Sequence, residues 1–236
     1  MRIVKPSYEI KTEIENEKIL NHLEMCARNC YKSEVLIKKG SSEKFLKNII
    51  KSGHDSILEH YSVTVKFVTS RAVLAQLTRH RLSSFAVESQ RYCNYNKEKF
   101  DGQVTFVQPT WINKDFSGEY NITWAGIYGI DMEVSNNMDK PTNRWFWNCA
   151  VCERDYLRLI NEGWIPERAR EVLNNSAKTE IIMTANLREW RTIFKQRCKS
   201  DAQSEIRSLL TDLLNEFKEK MPVLFEDLEF EDKDNG

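Results

Sequence analysis

Apolar residues recur along this chain with two periods. Between residues 14 and 28, Ile19, Leu20, Leu23 and Cys26 fall at helical spacing and predict a helix. Ser41-Ser42-Glu43-Lys44-Phe45-Leu46 reads as the start of a second helix. Ser42 is its expected N-cap, Phe45, Ile49 and Ile50 face inward, and Gly53 stops it. Over 61–69 the period changes: Val63, Val65 and Phe67 alternate with Thr64 and Lys66, the pattern of a half-buried strand. The first ten residues alternate loosely and fit an edge strand, and 104–107 fit a short one. Helical spacing returns from Arg71 to about Thr78, from Asn143 to Asn161, and over about 188–197 and 202–220. Gly163 ends the helix at 143–161, and Pro166 suits the first turn of a short one. Ile181-Ile182-Met183-Thr184 fits either a short buried strand or the opening turn of the next helix.

Residues 108–142 hold Pro109, Gly118, Gly126, Gly129 and Pro141 and show no period, as an inserted lobe or a long surface loop would. No internal repeat and no Gly-, Pro- or Ser-rich linker marks a boundary. The economical reading is one α+β domain over 1–222 with a possible insertion at 108–142, then an acidic tail over 223–236 that is solvated from Glu226.

Composition narrows the class. The 236 residues carry 35 Lys and Arg against 35 Asp and Glu, so no global basic field exists to coat a nucleic acid polymer. No apolar run approaches the ~18 residues of a membrane span, and the N-terminus lacks a signal-peptide core. A soluble cytoplasmic protein is the default expectation. Six cysteines agree with a reducing compartment, since a chain this long needs no disulfide staples. Cys149-Ala-Val-Cys152 has redox or zinc spacing. It lies within a helical apolar pattern with no second pair nearby, so core packing is the preferred reading. Six tryptophans and eleven phenylalanines are spread widely, and Trp145, Trp147, Trp164 and Trp190 read as core or subunit packing.

The neutral total hides local structure. Residues 71–91 have a balance of +3 and residues 226–236 a balance of −5. Three of the four histidines fall between 54 and 80. His54 and His60 stand six apart, not the four that would put both on one helix face, so a capped turn around Asp55 and Ser56 is preferred over a metal site. Arg79-His80-Arg81-Leu-Ser83-Ser84-Phe85-Ala-Val-Glu88-Ser89-Gln90-Arg91-Tyr92 carries three arginines, three serines and no lysine, with Glu88 its lone acid. Arginine forks and hydroxyls suit a small phosphorylated ligand; a basic loop making surface ion pairs is the other reading.

Arg79-His80-Arg81, followed after seven residues by Ser89, resembles the signature of the flavin-dependent thymidylate synthases, the ThyX family. Gln90-Arg91-Tyr92, Gly53-His54-Asp55-Ser56 with Glu59-His60, and Ala27-Arg28-Asn29-Cys30-Tyr31-Lys32-Ser33 are similar to the family too. So, in order and spacing, are Arg170, Asn186-Leu187-Arg188, Arg197 and Ala202-Gln203-Ser204-Glu205-Ile206-Arg207. The resemblance covers most of 1–222 outside 108–142. It implies a central, mostly antiparallel sheet flanked by helices, with a helical C-terminal half. It also implies reductive methylation of dUMP to dTMP, with 5,10-methylenetetrahydrofolate and NADPH as co-substrates, bound FAD as cofactor, no metal, and a homotetramer whose active sites are shared between subunits.

By the same resemblance, Gln76 and Arg79 reach the nucleotide, and Val87, Glu88, Ser89, Gln90 and Arg91 wrap its phosphate and sugar. Arg170 comes from another subunit. Arg197 is the catalytic residue, favouring uracil ionised at N3. Ser56, Arg79, His80, Arg81, Val87, Asn186, Arg188 and Thr192 line the FAD site. Three positions depart from the family pattern: Val87 replaces Glu or Gln, Thr192 replaces Asn, and Asp201 replaces His. The alternatives are a hydroxymethylating uridylate enzyme on the same scaffold and a non-catalytic nucleotide- or RNA-binding protein.

Overall fold

The computed structural model describes residues 1–126, 128–130 and 138–230. Position 127 and residues 131–137 of the irregular segment lie outside that range, as do 231–236 of the acidic tail. The architecture is α+β, as expected. Strands β1 (Arg2–Val4), β5 (Thr105–Val107) and β6 (Gly118–Glu119) form one small sheet in the order β5-β1-β6, with β1 parallel to β5 and antiparallel to β6. A four-stranded sheet has the order β2-β3-β9-β4, from Ser7–Ile10, Ser62–Ser70, Lys178–Asn186 and Ser83–Val87. Strands β7 (Thr123–Ala125) and β8 (Tyr128–Ile130) pair as an antiparallel hairpin.

The backbone gathers into two compact units interleaved along the chain. The first comprises Met1–Ser7, Val68–Ala75 and Val87–Ile181. Its core is Ile3, Phe106, Phe146, Cys149, Cys152 and Tyr156, packed by the long helix α4 (Lys140–Asn161). Sequence spacing starts this helix at 143. It starts three residues earlier because the Asp139 carboxylate accepts the Thr142 N–H at 3.0 Å and Pro141 is preset for a first turn. Both cysteines of the C-x-x-C pair are buried in this core, and burial pushes the Cys149 thiol up to about 12.

The second unit comprises Tyr8–Phe67, Gln76–Ala86 and the described residues from Ile182 onward. It holds helices α1 (Asn16–Tyr31), α2 (Ser41–Lys51), α6 (Leu187–Arg197), α7 (Ser204–Lys220) and α8 (Pro222–Phe225). Helix α3 (Arg71–Leu77) precedes the arginine turn, and α5 (Pro166–Ala169) follows α4. Trp190, Phe194, Phe217 and Phe225 pack mostly edge to face with centroids 5.1–5.9 Å apart, and Trp190 Nε1 donates to the Val63 carbonyl at 3.0 Å. Each buried ring removes a large apolar area from water, and the indole N–H is paired, so the cluster carries no polar cost.

Several expectations are corrected here. Helix α2 begins at Ser41 after Gly40, whose φ of 78° suits glycine. Ser42 is buried rather than capping, and Phe45 is half-buried beneath Arg28 at 4.1 Å. Asp55–His60 forms a 3-10 helix with no side-chain cap. Ile181–Thr184 lies inside the nine-residue strand β9, and strand β4 occupies part of the segment read as polar. Val223, Leu224, Phe225 and Leu228 are buried, and Asp227 pairs with Arg191, so packing continues past the expected start of the tail.

Candidate active site

Helix α6 organises the second unit's candidate residues. At about 100° per residue, Arg197 is in phase with Trp190, Ile193 and Phe194, which are buried, whereas Arg188 and Thr192 lie on the opposite side. An arginine on the core-facing side must find acceptors. Arg197 Nε donates to His80 Nε2 at 3.1 Å, and its Nη2 donates to the Gln76 carbonyl at 3.3 Å. Both acceptors sit around the end of α3, where the Arg79 and His80 N–H groups bond back to the Gln76 and Leu77 carbonyls at 3.3 and 3.1 Å. The Gln76 side chain reaches Gln203 at 3.4 Å, and Gln203 caps α7 through the Ile206 N–H.

His80 is only 5% exposed. Burial and the adjacent Arg197 cation hold its imidazole down to about 4, so it is neutral at pH 7. Its Nδ1 faces Glu189 Oε1 at 3.7 Å, and burial raises the Glu189 carboxyl. Arg79 and Arg81 flank this buried histidine and are exposed. Among the described residues, neither guanidinium has a hydrogen-bond or ion-pair partner.

At the other end of α6, Asn186 accepts the Glu189 N–H at 2.8 Å as N-cap, and Thr192 Oγ1 donates to the Arg188 carbonyl at 3.1 Å. Arg188 Nη1 bonds Glu59 Oε1 at 2.5 Å. Together with Cys30, Tyr31, His54, Asp55 and Ser56, Arg188 lines a depression of about 350 Å³. His54 is held there by the Tyr31 hydroxyl at 3.2 Å. Asp201 is exposed.

The first unit carries the remaining candidates. Val87 ends β4, half-buried. Glu88 accepts from Lys178 Nζ at 2.7 Å and from the Tyr95 hydroxyl at 2.9 Å, so its carboxylate is already engaged. A turn follows, with the Tyr92 and Cys93 N–H groups on the Ser89 carbonyl and the Arg91 N–H on Ser89 Oγ at 3.3 Å. Gln90 is 8% exposed, and its side-chain N–H groups have no partner among the described residues. Arg91 Nε donates to Glu167 Oε2 at 2.7 Å. Arg91, with Arg170 and Arg168 adding, holds the Glu167 carboxyl below its usual range.

The structure thus brings Gln76, His80 and Arg197 together, Ser56 with Arg188, and Ser89 with Arg91. It adds Glu189, Glu167 and Lys178, which sequence reasoning missed. Asn186-Leu-Arg-Glu189 has the spacing of a capping box. The backbone half of that box forms, but the Glu189 carboxyl turns to His80 instead of back to the cap. Glu167 and Lys178 carry no sequence signal, because their partners lie 76 and 90 residues away. Of the tryptophans, Trp190 is fully buried while Trp164 and Trp111 are 46% and 61% exposed. Free guanidinium groups at Arg79 and Arg81, and the serine- and arginine-lined depression, are the donor chemistry a flavin dinucleotide needs.

Two solved structures share this fold. The UMP/dUMP methylase PolB from Streptomyces cacaoi, bound with 5-Br dUMP, superposes with a TM-score of 0.72 at 22% identity, over 96% of each chain. ThyX from Helicobacter pylori, with FAD and dUMP, gives 0.69 at 18% identity, over 94% of this chain and 98% of that one. The flavin-dependent thymidylate synthase of Geobacter sulfurreducens is 33% identical over 210 residues, 86% of this chain and 79% of its own. Residues 15–223 match the model of the thymidylate synthase complementing protein family, and the chain belongs to that family of flavin-dependent thymidylate synthases.

Proposed function

We propose that the chain methylates dUMP to dTMP, drawing the methylene group from 5,10-methylenetetrahydrofolate and reducing equivalents from NADPH. The observation that carries this reading is the arginine arrangement around His80. Arg197 is anchored on two acceptors, while Arg79 and Arg81 have donors that no described residue occupies. Anchored and free guanidinium groups at one turn suit a ligand with phosphates and an ionisable ring. Bound FAD supplies the redox chemistry that side chains lack.

Ser56, Arg79, His80, Arg81, Val87, Asn186, Arg188 and Thr192 would hold FAD. Arg188 shares its charge with Glu59 and Asn186 Oδ1 is spent on its cap, so Asn186 has its amide N–H groups left to offer that contact. Gln76, Arg79, the segment Val87–Arg91 and Arg170 would hold dUMP, with Arg170 supplied by another subunit of a homotetramer. Arg197 would stabilise negative charge on the uracil at N3, because a fixed cation lowers the cost of the ionised form. A neutral His80 assists by withdrawing no charge from that arginine. Ser89 Oγ accepts the Arg91 N–H, no general base among the described residues is bonded to it, and it acts as a hydrogen-bonding group rather than a nucleophile.

That ligand set is supported by the two structural neighbours, whose structures hold dUMP or its 5-bromo form. A cytoplasmic location fits six free cysteines. Among the described residues, no helix is long and apolar enough to cross a membrane. The test is one assay: purified protein supplied with FAD is incubated with dUMP, 5,10-methylenetetrahydrofolate and NADPH, and the product is identified by mass. Yellow protein and dTMP are expected. A hydroxymethyl product would replace the methylation reading, and protein that neither takes up FAD nor turns over dUMP would overturn it.

A further inference from the structure

We propose that Glu189 is a positioning residue that fixes the tautomer of His80 and, through it, the aim of Arg197. The kinetic consequence rests on the reading of Arg197 given above; the tautomer does not. A guanidinium only donates, so the 3.1 Å contact from Arg197 Nε requires a lone pair on His80 Nε2. Neutral imidazole has one such nitrogen, which puts the ring proton on Nδ1. That nitrogen faces Glu189 Oε1 at 3.7 Å. The distance is longer than a hydrogen bond. Yet both side chains are under a tenth exposed, and there the field of a nearby carboxylate is poorly screened.

The carboxylate therefore favours the N–H at Nδ1 and leaves Nε2 free to accept. Glu189 is itself fixed: its backbone N–H is held by the Asn186 cap at 2.8 Å, in the first turn of the helix that ends at Arg197. Without the carboxylate, a proton at Nε2 would set N–H against N–H. Arg197 would then keep only the 3.3 Å contact to the Gln76 carbonyl. One hydrogen bond fixes a guanidinium's position but not the plane of its fork.

The test uses the full chain labelled with nitrogen-15 histidine, whose four histidines are resolved by solid-state NMR, with H80Q assigning the His80 signal. Wild type is expected to show His80 protonated at Nδ1, and E189Q to show a mixed or reversed tautomer. With dUMP as varied substrate, E189Q is expected to lower kcat about tenfold while KM stays within about twofold. In an H80Q background, where an amide oxygen accepts from Arg197 and no tautomer exists, E189Q should cost nothing further. Wild-type His80 protonated at Nε2 overturns the proposal without any variant. So does an E189Q penalty of equal size in both backgrounds, which would mark a packing role. A chain that made no dTMP would overturn the enzymatic reading and leave the NMR result to decide the tautomer.

Discussion

Arg91 donates from Nε to Glu167 Oε2 at 2.7 Å, so the arginine expected to hold the nucleotide phosphate already holds a carboxylate. Both partners are about half exposed, so solvent screens the pair and breaking it costs little. A dianionic phosphate displaces it at that cost. Glu167→Gln should therefore lower the KM for dUMP about threefold, with kcat unchanged in steady-state assays. Arg91→Ala should raise that KM about tenfold or more, because a charge-assisted contact is lost.

Arg197 meets two acceptors with separate nitrogens of one planar fork, a geometry that a lysine's single ammonium does not reproduce. Arg197→Ala should cut kcat at saturating dUMP on the order of a hundredfold, and Arg197→Lys should restore little of it. Flavin absorbance of both variants should match wild type, since the loss is expected in turnover. Normal turnover by Arg197→Ala would remove its proposed role beside the uracil.

His80 imposes a pH dependence on stability. Its ordinary value of 6.5 falls to about 4 in the folded chain, so the native state binds fewer protons than the unfolded one between those values. The His80 contribution is full above pH 6.5 and is lost as pH falls towards 4. The loss is on the order of 2 kcal/mol after allowing for screening. Urea midpoints measured from pH 7 to 4 should fall, and H80Q should lack that component.

Arg191 is buried and clamps the C-terminal segment, bonding Asp227 Oδ1 and Oδ2 at 2.7 and 2.5 Å and the Leu224 carbonyl. Asp227→Asn leaves a buried cation with less than its due. It should cost about 2 kcal/mol of stability, discounted because Asp227 is partly exposed. Thermal unfolding of Asp227→Asn beside wild type checks this, and an unchanged Tm would contradict it.

Local signals carried much of the fold. Alternation at Val63, Val65 and Phe67 and helical spacing around Trp190 and Phe194 were legible, because each element's own period reports its buried face. Strand β4 was not, since Ser83-Ser84-Phe85-Ala86-Val87 gains its strand character from its place beside β9. Ser42 read as a cap by residue type, yet Gly40 supplies the left-handed turn that starts the helix. At the site, the arginine and serine motif was legible as anion chemistry. Which arginines are paired was not: Arg91 with Glu167, Arg188 with Glu59 and Arg197 with His80 are each joined across 76 residues or more.

The phase of Arg197 along its helix ties two properties that proteins often keep apart. The turns that seat Trp190 and Phe194 in the core also set the direction of the arginine three and seven residues on. A single inserted residue between them would rotate it by about 100° and remove it from both acceptors. Mutations that reshape the aromatic cluster should thus surface first in turnover, before they are visible as lost stability. For an engineer, thermostabilising this core and preserving its chemistry are one problem, to be solved in the same helix.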